Sequence, residues 1–138
     1  MSKAFDPPSL SVLALASNPA LGRATQIMLS AMGFGRVEVC SAEEICARAD
    51  TFKPTFILFT PEYLSMPVAE RMKCGCPCKP KIQCNRSLSV IFLKKKTVES
   101  ILMSKDMGFN GIIFADQSMD RLYEALQTVY ETKTTRQN

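Results

Sequence analysis

The sequence predicts a single α/β domain in which helices cover both faces of a parallel β-sheet. Five short apolar runs, rich in Val, Ile, Leu and Phe, lack strict alternation of apolar and polar residues, which is typical of strands buried on both faces. Helical patterns lie between most of these runs, and alternating strands and helices favour a parallel sheet. A chain of 138 residues fits one domain of ordinary size.

The predicted strands are LSVLALA at 10–16, RVEVC at 36–40, TFILFT at 55–60, LSVIFL at 88–93 and GIIFA at 111–115. The first run is much shorter than the roughly 18 apolar residues that cross a membrane. A polar helix start follows it, so it is typical of a strand and not of a signal peptide. We therefore expect a cytoplasmic protein with reduced thiols and no membrane insertion.

The first helix is predicted to follow the first strand directly. Asn18 can cap this helix, Pro19 suits its first turn and Gly33 ends it. Apolar residues at spacings of three and four predict its apolar face, namely Leu21, Ala24, Met28 and Ala31. After the second strand, the run SAEE predicts a capping box of Ser41 with Glu44.

Two more helices are predicted in the C-terminal part of the chain. Val98, Ile101 and Leu102 mark a helix that stops at Gly108. The last helix is lined by Met119, Leu122, Leu126 and Val129 and flanked by Tyr123 and Tyr130. The polar residues 132–138 are expected to fray.

The connection between the third and fourth strands interrupts this alternation. Gly75, Pro77 and Pro80 prevent a continuous helix over residues 61–87. The stretch RMKCGCPCKPKIQCNR, residues 71–86, contains four of the six cysteines, five basic residues and no acid. We therefore predict that residues 71–87 form a cysteine-rich basic insertion.

The charge distribution and the absence of histidine exclude several classes of function. Residues 71–96 carry eight basic residues and no acid, whereas the rest of the chain carries nine basic and thirteen acidic residues. The basic segment could attract an anionic partner, or it could be a solvated lysine-rich loop. The absence of histidine excludes Ser-His-Asp and Cys-His catalysis and histidine metal ligands. We do not expect an enzyme, because neither a known type of catalytic base nor a nucleotide loop is evident.

The order and spacing of these elements resemble the receiver domains of response regulators, the CheY-like (βα)5 fold. The resemblance covers roughly residues 9–131 and rests on SNP before the first helix, GF-x-x-V-x-x-C-S-A-E-E around the second strand, KPTFILFTPEYL at the third, and DMGFNGIIFADQSMDRLYEAL near the end. It implies a doubly wound sheet with strand order 2-1-3-4-5, in which the cysteine-rich loop replaces most of the third helix. Residues 1–8 would form an N-terminal extension and residues 132–138 a polar tail.

Receiver domains bind Mg²⁺ and accept a phosphoryl group at the carboxyl ends of their strands, where ligands bind in open α/β sheets. The resemblance places their two acidic residues, acceptor aspartate, hydroxyl residue and lysine at Ala16, Ser17, Thr60, Lys94 and Ala115. No acid lies in residues 10–18 or 54–61, so the carboxylates that Mg²⁺ prefers are missing. The ammonium of Lys94 could replace the Mg²⁺ charge, or residues 94–96 could form a solvated turn. The resemblance therefore implies a pseudo-receiver without Mg²⁺ and without phosphorylation.

The cysteines of the insertion admit several interpretations. Cys74, Cys76, Cys78 and Cys84 could hold Zn²⁺, although C-x-C-x-C-x5-C is not the usual pair of C-x2-C motifs, and an iron–sulfur cluster would use the same ligands. They could instead form a redox switch, because thiolates beside cations react readily with oxidants. The remaining alternative is a flexible insertion with incidental thiols. Cys40 and Cys46 are predicted to be small buried residues.

The basic residues of the insertion suggest another ligand class. Some CheY-like proteins bind cyclic di-GMP through an arginine-rich segment in this connection, which here contains Arg71, Lys73, Lys79, Lys81 and Arg86. Lysine lacks the planar fork for bidentate phosphate or guanine contacts, so an anionic ligand is only an alternative. Nucleic acid is not expected, since no aromatic residue interleaves these basic residues.

The leading hypothesis is a bacterial pseudo-receiver that works by protein–protein interaction, in signalling or in organising a complex. The resemblance implies that a partner, or a second copy, binds to the surface of the fourth helix, fifth strand and fifth helix. Residues predicted to be partly exposed there are Met103, Met107, Tyr123 and Tyr130, with burial in the core as the alternative. The main alternative function is a zinc- or redox-responsive module in which the cysteine loop gates that interaction.

Overall fold

A computed structural model shows a parallel sheet with helices on both faces. It describes residues 5–16, 18–41, 44–59, 87–94, 97–106, 109–114 and 117–136. Its strands are β1 (Ser11–Leu15), β2 (Arg36–Cys40), β3 (Phe56–Phe59), β4 (Leu88–Leu93) and β5 (Gly111–Phe114). Its helices are α1 (Pro19–Ala31), α2 (Ile45–Phe52), α3 (Val98–Asp106) and α4 (Met119–Arg136), and a 3-10 turn (Pro7–Ser9) precedes β1.

The sheet has the order β2-β1-β3-β4-β5, and every neighbouring pair is parallel. The predicted fold class and strand order are confirmed. In the pairing register, Leu13 of the central part of the sheet lies beside Glu38 on one side and Ile57 on the other. All five predicted strands are confirmed to within one residue at each end. Since the strands are parallel, their carboxyl ends lie at one edge of the sheet.

Alternating side chains of the strands build one core on each face. Residues of the first core come from α1 and the residue after it, from α4 and from the sheet: Leu29, Met32, Leu122, Leu126, Tyr130, Val12, Ala14, Phe56, Leu58 and Val90. Residues of the second core come from α2 and the sheet: Ala49, Phe52, Leu13, Leu15, Cys40, Ile57, Phe59, Ile91 and Leu93. We call these sides the α1/α4 face and the α2/α3 face, because a right-handed connection from β4 to β5 places α3 beside α2.

The start and end of α1 follow the sequence prediction, but its buried face does not. The Asn18 side chain accepts a hydrogen bond of 2.8 Å from the backbone N–H of Leu21. Leu21 and Ala24 are exposed, whereas Gly22 and Leu29 are buried, so the predicted apolar face is wrong. A Cβ atom at Gly22 would lie only 2.9 Å from Cγ1 of Val39. The close approach of α1 to β2 at this glycine therefore fixes the rotation of the helix.

Phe5 and Pro7, in the described part of the predicted N-terminal extension, pack against the α1/α4 face. The ring of Phe5 lies 5.3 Å from that of Tyr123 and 6.2 Å from that of Phe34, both edge-on. The backbone N–H of Gly35 donates to the carbonyl of Pro7 over 3.0 Å. At the other terminus, α4 continues through most of the predicted polar tail and ends at Arg136.

Helices α3 and α2 each differ from the sequence pattern in one local detail. The apolar residues Val98, Ile101 and Leu102 mark α3 in the sequence, but Val98 and Leu102 are 74% and 60% exposed and do not line the core. Helix α2 begins at Ile45, after Glu44, and its N-cap makes no side-chain hydrogen bond, so the capping box is not formed. The Ser41 hydroxyl instead donates to the Glu44 carboxylate over 3.0 Å.

Candidate functional site

The carboxyl edge of the sheet is where a receiver domain would hold its metal and phosphoryl group. Ala16 directly follows β1 and Lys94 directly follows β4 at this edge. The other predicted positions, Ser17, Thr60 and Ala115, lie outside the described residues.

Ala16 contributes packing and backbone pairing at the position predicted for an acidic residue. Its backbone N–H donates to the carbonyl of Cys40 over 3.1 Å, which prolongs the pairing of β1 with β2. Its methyl group lies close to Gly22, where a Cβ atom would be 3.3 Å away. Asn18, two residues later, caps α1. This segment therefore fixes the start of α1 and supplies no carboxylate.

A depression of about 450 Å³ opens beside Ala16, between α1 and β2. Its described lining residues are Ala16, Asn18, Pro19, Gly22, Arg23, Gln26 and Val39. Arg23 carries the only formal charge among them, and Gln26 donates its amide to the carbonyl of Val37 over 3.3 Å. A guanidinium and an amide do not suit Mg²⁺, which prefers carboxylate oxygens.

Lys94 is exposed at the end of β4. This exposure agrees with the solvated-turn interpretation of residues 94–96, of which 95 and 96 lie outside the described residues. Two carboxylates near the end of β2 have partners of their own. Glu38 pairs with Arg48 at 3.2 Å, and Glu44 accepts from Ser41. Within the described parts of the chain, no group of three His, Cys, Asp or Glu residues could hold a metal ion.

Cys40 is buried in the α2/α3 face, as predicted. Burial raises the pKa of its thiol to about 11, and the carboxylate of Glu44 acts in the same direction, while Arg48 lowers it. The thiol is therefore protonated at neutral pH and is a poor nucleophile. The side chain of Cys46 and the whole of Cys74, Cys76, Cys78 and Cys84 lie outside the described residues, as do the basic residues predicted to bind an anion, Arg71, Lys73, Lys79, Lys81 and Arg86.

The residues predicted for an interaction surface have different environments. Met103 is 39% exposed on α3 and Tyr123 is half-buried on α4, whereas Met107 lies outside the described residues. Tyr130 is only 5% exposed, which agrees with the alternative of burial in the core. Its ring packs 5.6 Å from that of Phe5 and 6.3 Å from that of Phe56.

Three exposed apolar residues are not among the four residues predicted for the interaction surface. They are Val98 and Leu102 of α3 and Met119 at the start of α4. Apolar spacing gave no signal of this exposure in α3, because Val98, Ile101 and Leu102 lie at i, i+3 and i+4 on one side of the helix.

Comparison with solved structures shows the same fold in receiver domains. A response regulator from Desulfuromonas acetoxidans is 24% identical, with 86% of this chain and 94% of that chain covered and a TM-score of 0.63. Vibrio cholerae chemotaxis protein CheY4 is 19% identical, with 87% and 98% covered and a TM-score of 0.66. A CheY-like protein, tadZ, from Pseudomonas aeruginosa is 15% identical, with 88% and 99% covered and a TM-score of 0.60.

No protein-family model and no curated protein matches the chain. At the identities of the solved structures, the likeness shows the fold: this chain has the CheY-like receiver fold, with parallel strands in the order 2-1-3-4-5. In the part of the chain that the structure describes, no helix is both long enough and apolar enough to span a membrane.

Proposed function

We propose that this chain is a pseudo-receiver, which uses the receiver fold to bind a protein partner and is not phosphorylated. The observation that carries this proposal is the missing acidic cluster at the carboxyl edge of the sheet. Residues 10–18 and 54–61, which enclose the ends of β1 and β3, contain no Asp or Glu.

Without these carboxylates, the chain lacks both the phosphoryl acceptor and the ligands for Mg²⁺. Phosphoryl transfer to an aspartate needs that aspartate as acceptor and Mg²⁺ to offset the charge of the phosphoryl oxygens. The described charged groups in the depression beside Ala16 and directly after β4 are Arg23 and Lys94, both cationic, whereas the carboxylates near the end of β2, Glu38 and Glu44, have partners of their own. Cationic side chains oppose the binding of Mg²⁺, so we do not expect a metal cofactor there.

The proposed partner surface comprises α3, β5 and the start of α4. Val98, Leu102 and Met103 are exposed along α3, and Met119 is 46% exposed at the start of α4. Apolar side chains grouped on a surface favour protein–protein contact, and Met suits adaptable interfaces. This arrangement supports a protein-interaction module. For this module we propose a role in bacterial signalling or complex organisation, a cytoplasmic location and no binding of nucleic acid.

The first experiment tests for phosphorylation. The purified chain is incubated with Mg²⁺ and either acetyl phosphate or beryllofluoride, beside an active receiver domain as a positive control. We expect an unchanged intact mass and unchanged amide NMR shifts for this chain, and a phosphoryl adduct on the control. An adduct on any residue of this chain would overturn the proposal.

The second experiment tests the surface on α3. A partner is captured from the native organism with the wild-type chain, and its binding is then measured with Leu102→Lys and with Thr128→Lys, an exposed control on α4. We expect Leu102→Lys to weaken binding more than tenfold, since it buries a charge in an apolar contact, and Thr128→Lys to have little effect. Equal binding by all three proteins would contradict the proposed surface.

A second candidate function rests on the cysteine stretch, where four thiols occur within eleven residues, Cys74 to Cys84. In that case Zn²⁺ or oxidation would order the stretch and gate partner binding. Native mass spectrometry of protein purified without a chelator would reveal bound zinc. Thiol counting before and after mild oxidation would reveal a disulfide. Apo protein with an unchanged thiol count would exclude both forms.

A further inference from the structure

The described residues before β1 form a segment that runs along the α1/α4 face. We call residues 5–9 the N-terminal strap. The strap contains the 3-10 turn Pro7–Ser9, and the backbone N–H of Leu10 donates to the carbonyl of Pro7 over 3.0 Å. Because the strap leads into the start of β1, it lies at the amino edge of the sheet, opposite the candidate functional site.

The backbone of the strap is attached to the turn between α1 and β2. The N–H of Gly35 donates to the carbonyl of Pro7 over 3.0 Å. A Cβ atom at Gly35 would collide with the carbonyl oxygen of Pro8, so glycine permits this close approach. Pro7 itself is buried. These contacts fix the position from which the side chain of Phe5 reaches the core.

The ring of Phe5 lies among four other aromatic rings. The distances from its centroid are 6.2 Å to Phe34, 6.4 Å to Phe56, 5.3 Å to Tyr123 and 5.6 Å to Tyr130. All four distances lie in the range of favourable aromatic pairs. These partners belong to the turn after α1, to β3 and to α4, so one ring of the strap connects three parts of the α1/α4 face.

Helix α4 is held at two of its sides. Tyr123 and Tyr130 are seven residues apart, which places them two turns apart on the same side of the helix, where Phe5 contacts both. Val129 lies about 100° further around the helix. It contacts Gly111 of β5 so closely that a Cβ atom at Gly111 would collide with the Val129 side chain. The second of these contacts comes from the sheet, whereas the first comes from the strap.

We propose that the N-terminal strap holds the C-terminal half of α4 in place, and that the two open together while the sheet stays folded. Release of the strap breaks the contacts of Phe5 and the hydrogen bond between Pro7 and Gly35, but it breaks no pairing between strands. Segments of this kind open locally at a lower cost in free energy than the strands of a core. Opening uncovers the rings of Tyr123 and Tyr130, so the strap controls access to them. This inference does not rest on the partner surface proposed on α3.

Amide hydrogen exchange of the full chain, followed by NMR at low urea concentrations, tests whether α4 opens separately. We expect the amides of residues 126–130 to exchange through an opening that needs less free energy than the opening of the hydrogen-bonded amides in β1 and β3. If residues 126–130 exchanged only together with the strands, α4 would be released by global unfolding alone, and the proposal would be overturned.

Two matched substitutions test whether Phe5 controls this opening. Phe5 and Phe109 are both half-buried, and the ring of Phe109 packs 5.0 Å from that of Phe59 on the α2/α3 face. Phe5→Ala should lower the protection of residues 126–130 and of the strands alike, at least tenfold, because the Phe5 ring is released in both openings. Phe109→Ala should lower the protection of the strands only, because the contacts of Phe109 persist while the strap is open.

Two other patterns of exchange would contradict the proposal. If Phe109→Ala lowered the protection of residues 126–130 as much as that of the strands, α4 would have no separate opening. If Phe5→Ala left the protection of residues 126–130 unchanged, the strap would not hold α4. Far-ultraviolet circular dichroism checks that each variant is folded, and Phe5→Leu, a milder change, takes the place of Phe5→Ala if that variant does not fold.

Discussion

Helices α4 and α3 bury very different surfaces against the same sheet. Helix α4 turns Leu122 and Leu126 inward and leaves polar residues outside, whereas α3 buries Ser104 completely and leaves Val98 and Leu102 in solvent. The Ser104 hydroxyl donates to the carbonyl of Ser100 over 2.8 Å, so its hydrogen-bond partner lies within the same helix. Ser104 brings little apolar surface against the sheet, so α3 gains less from burial than α4 does. The comparison teaches that apolar spacing on one side of a helix does not by itself identify the side that packs on the sheet.

The sharpest test of this comparison applies one substitution to both helices. Leu126 is 1% exposed and Leu102 is 60% exposed. Leu126→Ala should lower the free energy of unfolding by about 2–5 kcal/mol, through lost burial and the cavity left behind. Leu102→Ala should change it by no more than about 0.5 kcal/mol, since the side chain is already in water. Urea denaturation measures both, and similar losses in the two variants would show that α3 packs through its apolar side.

The strands could be predicted from sequence because β1, β3 and β4 are buried on both faces and so appear as continuous apolar runs. The buried faces of the helices were harder to predict from the sequence. The rotation of α1 depends on the approach of Gly22 to Val39, a contact between elements that no local pattern contains. The packing of Phe5 beside Tyr123 was missed for the same reason, since a single aromatic residue before the first strand has no periodicity.

The thiol of Cys40, which is buried on the α2/α3 face, gives a second test of how burial on that face affects stability. Burial raises the pKa of Cys40 from 9.0 to about 11, so above pH 9 the unfolded chain loses a proton that the folded chain keeps. The contribution of this thiol to the free energy of unfolding therefore has its full value below pH 9. It decreases between pH 9 and 11, by an amount on the order of 2 kcal/mol. Urea denaturation across this range should show a steeper decline for wild type than for Cys40→Ala. Equal slopes would contradict a buried, protonated thiol.

Less of the candidate site than of the fold could be predicted. The sequence alone excludes an acidic cluster around the ends of β1 and β3, because that inference needs only the strand positions. The choice between exposure and burial of Tyr130 could not be made from the sequence, since it depends on Phe5 and Phe56, whose rings contact Tyr130 from other parts of the chain. Side chains at strand ends follow from the order of elements, whereas side chains on helices depend on tertiary packing.

The smallest expected effect distinguishes two buried serines at the start of β4. Ser87 donates its hydroxyl to the carbonyl of Pro54 over 2.6 Å, whereas the hydroxyl of Ser89, fully buried, has no hydrogen-bond partner among the described residues. Ser87→Ala should therefore lower the free energy of unfolding by about 1 kcal/mol, while Ser89→Ala should leave it unchanged or raise it by up to about 1 kcal/mol, because an unpaired buried hydroxyl is itself costly. Thermal and urea denaturation of the two variants measure the difference. A loss in Ser89→Ala as large as that in Ser87→Ala would mean that the Ser89 hydroxyl is hydrogen-bonded in solution, and that the α2/α3 face tolerates buried polar groups only when each has a partner.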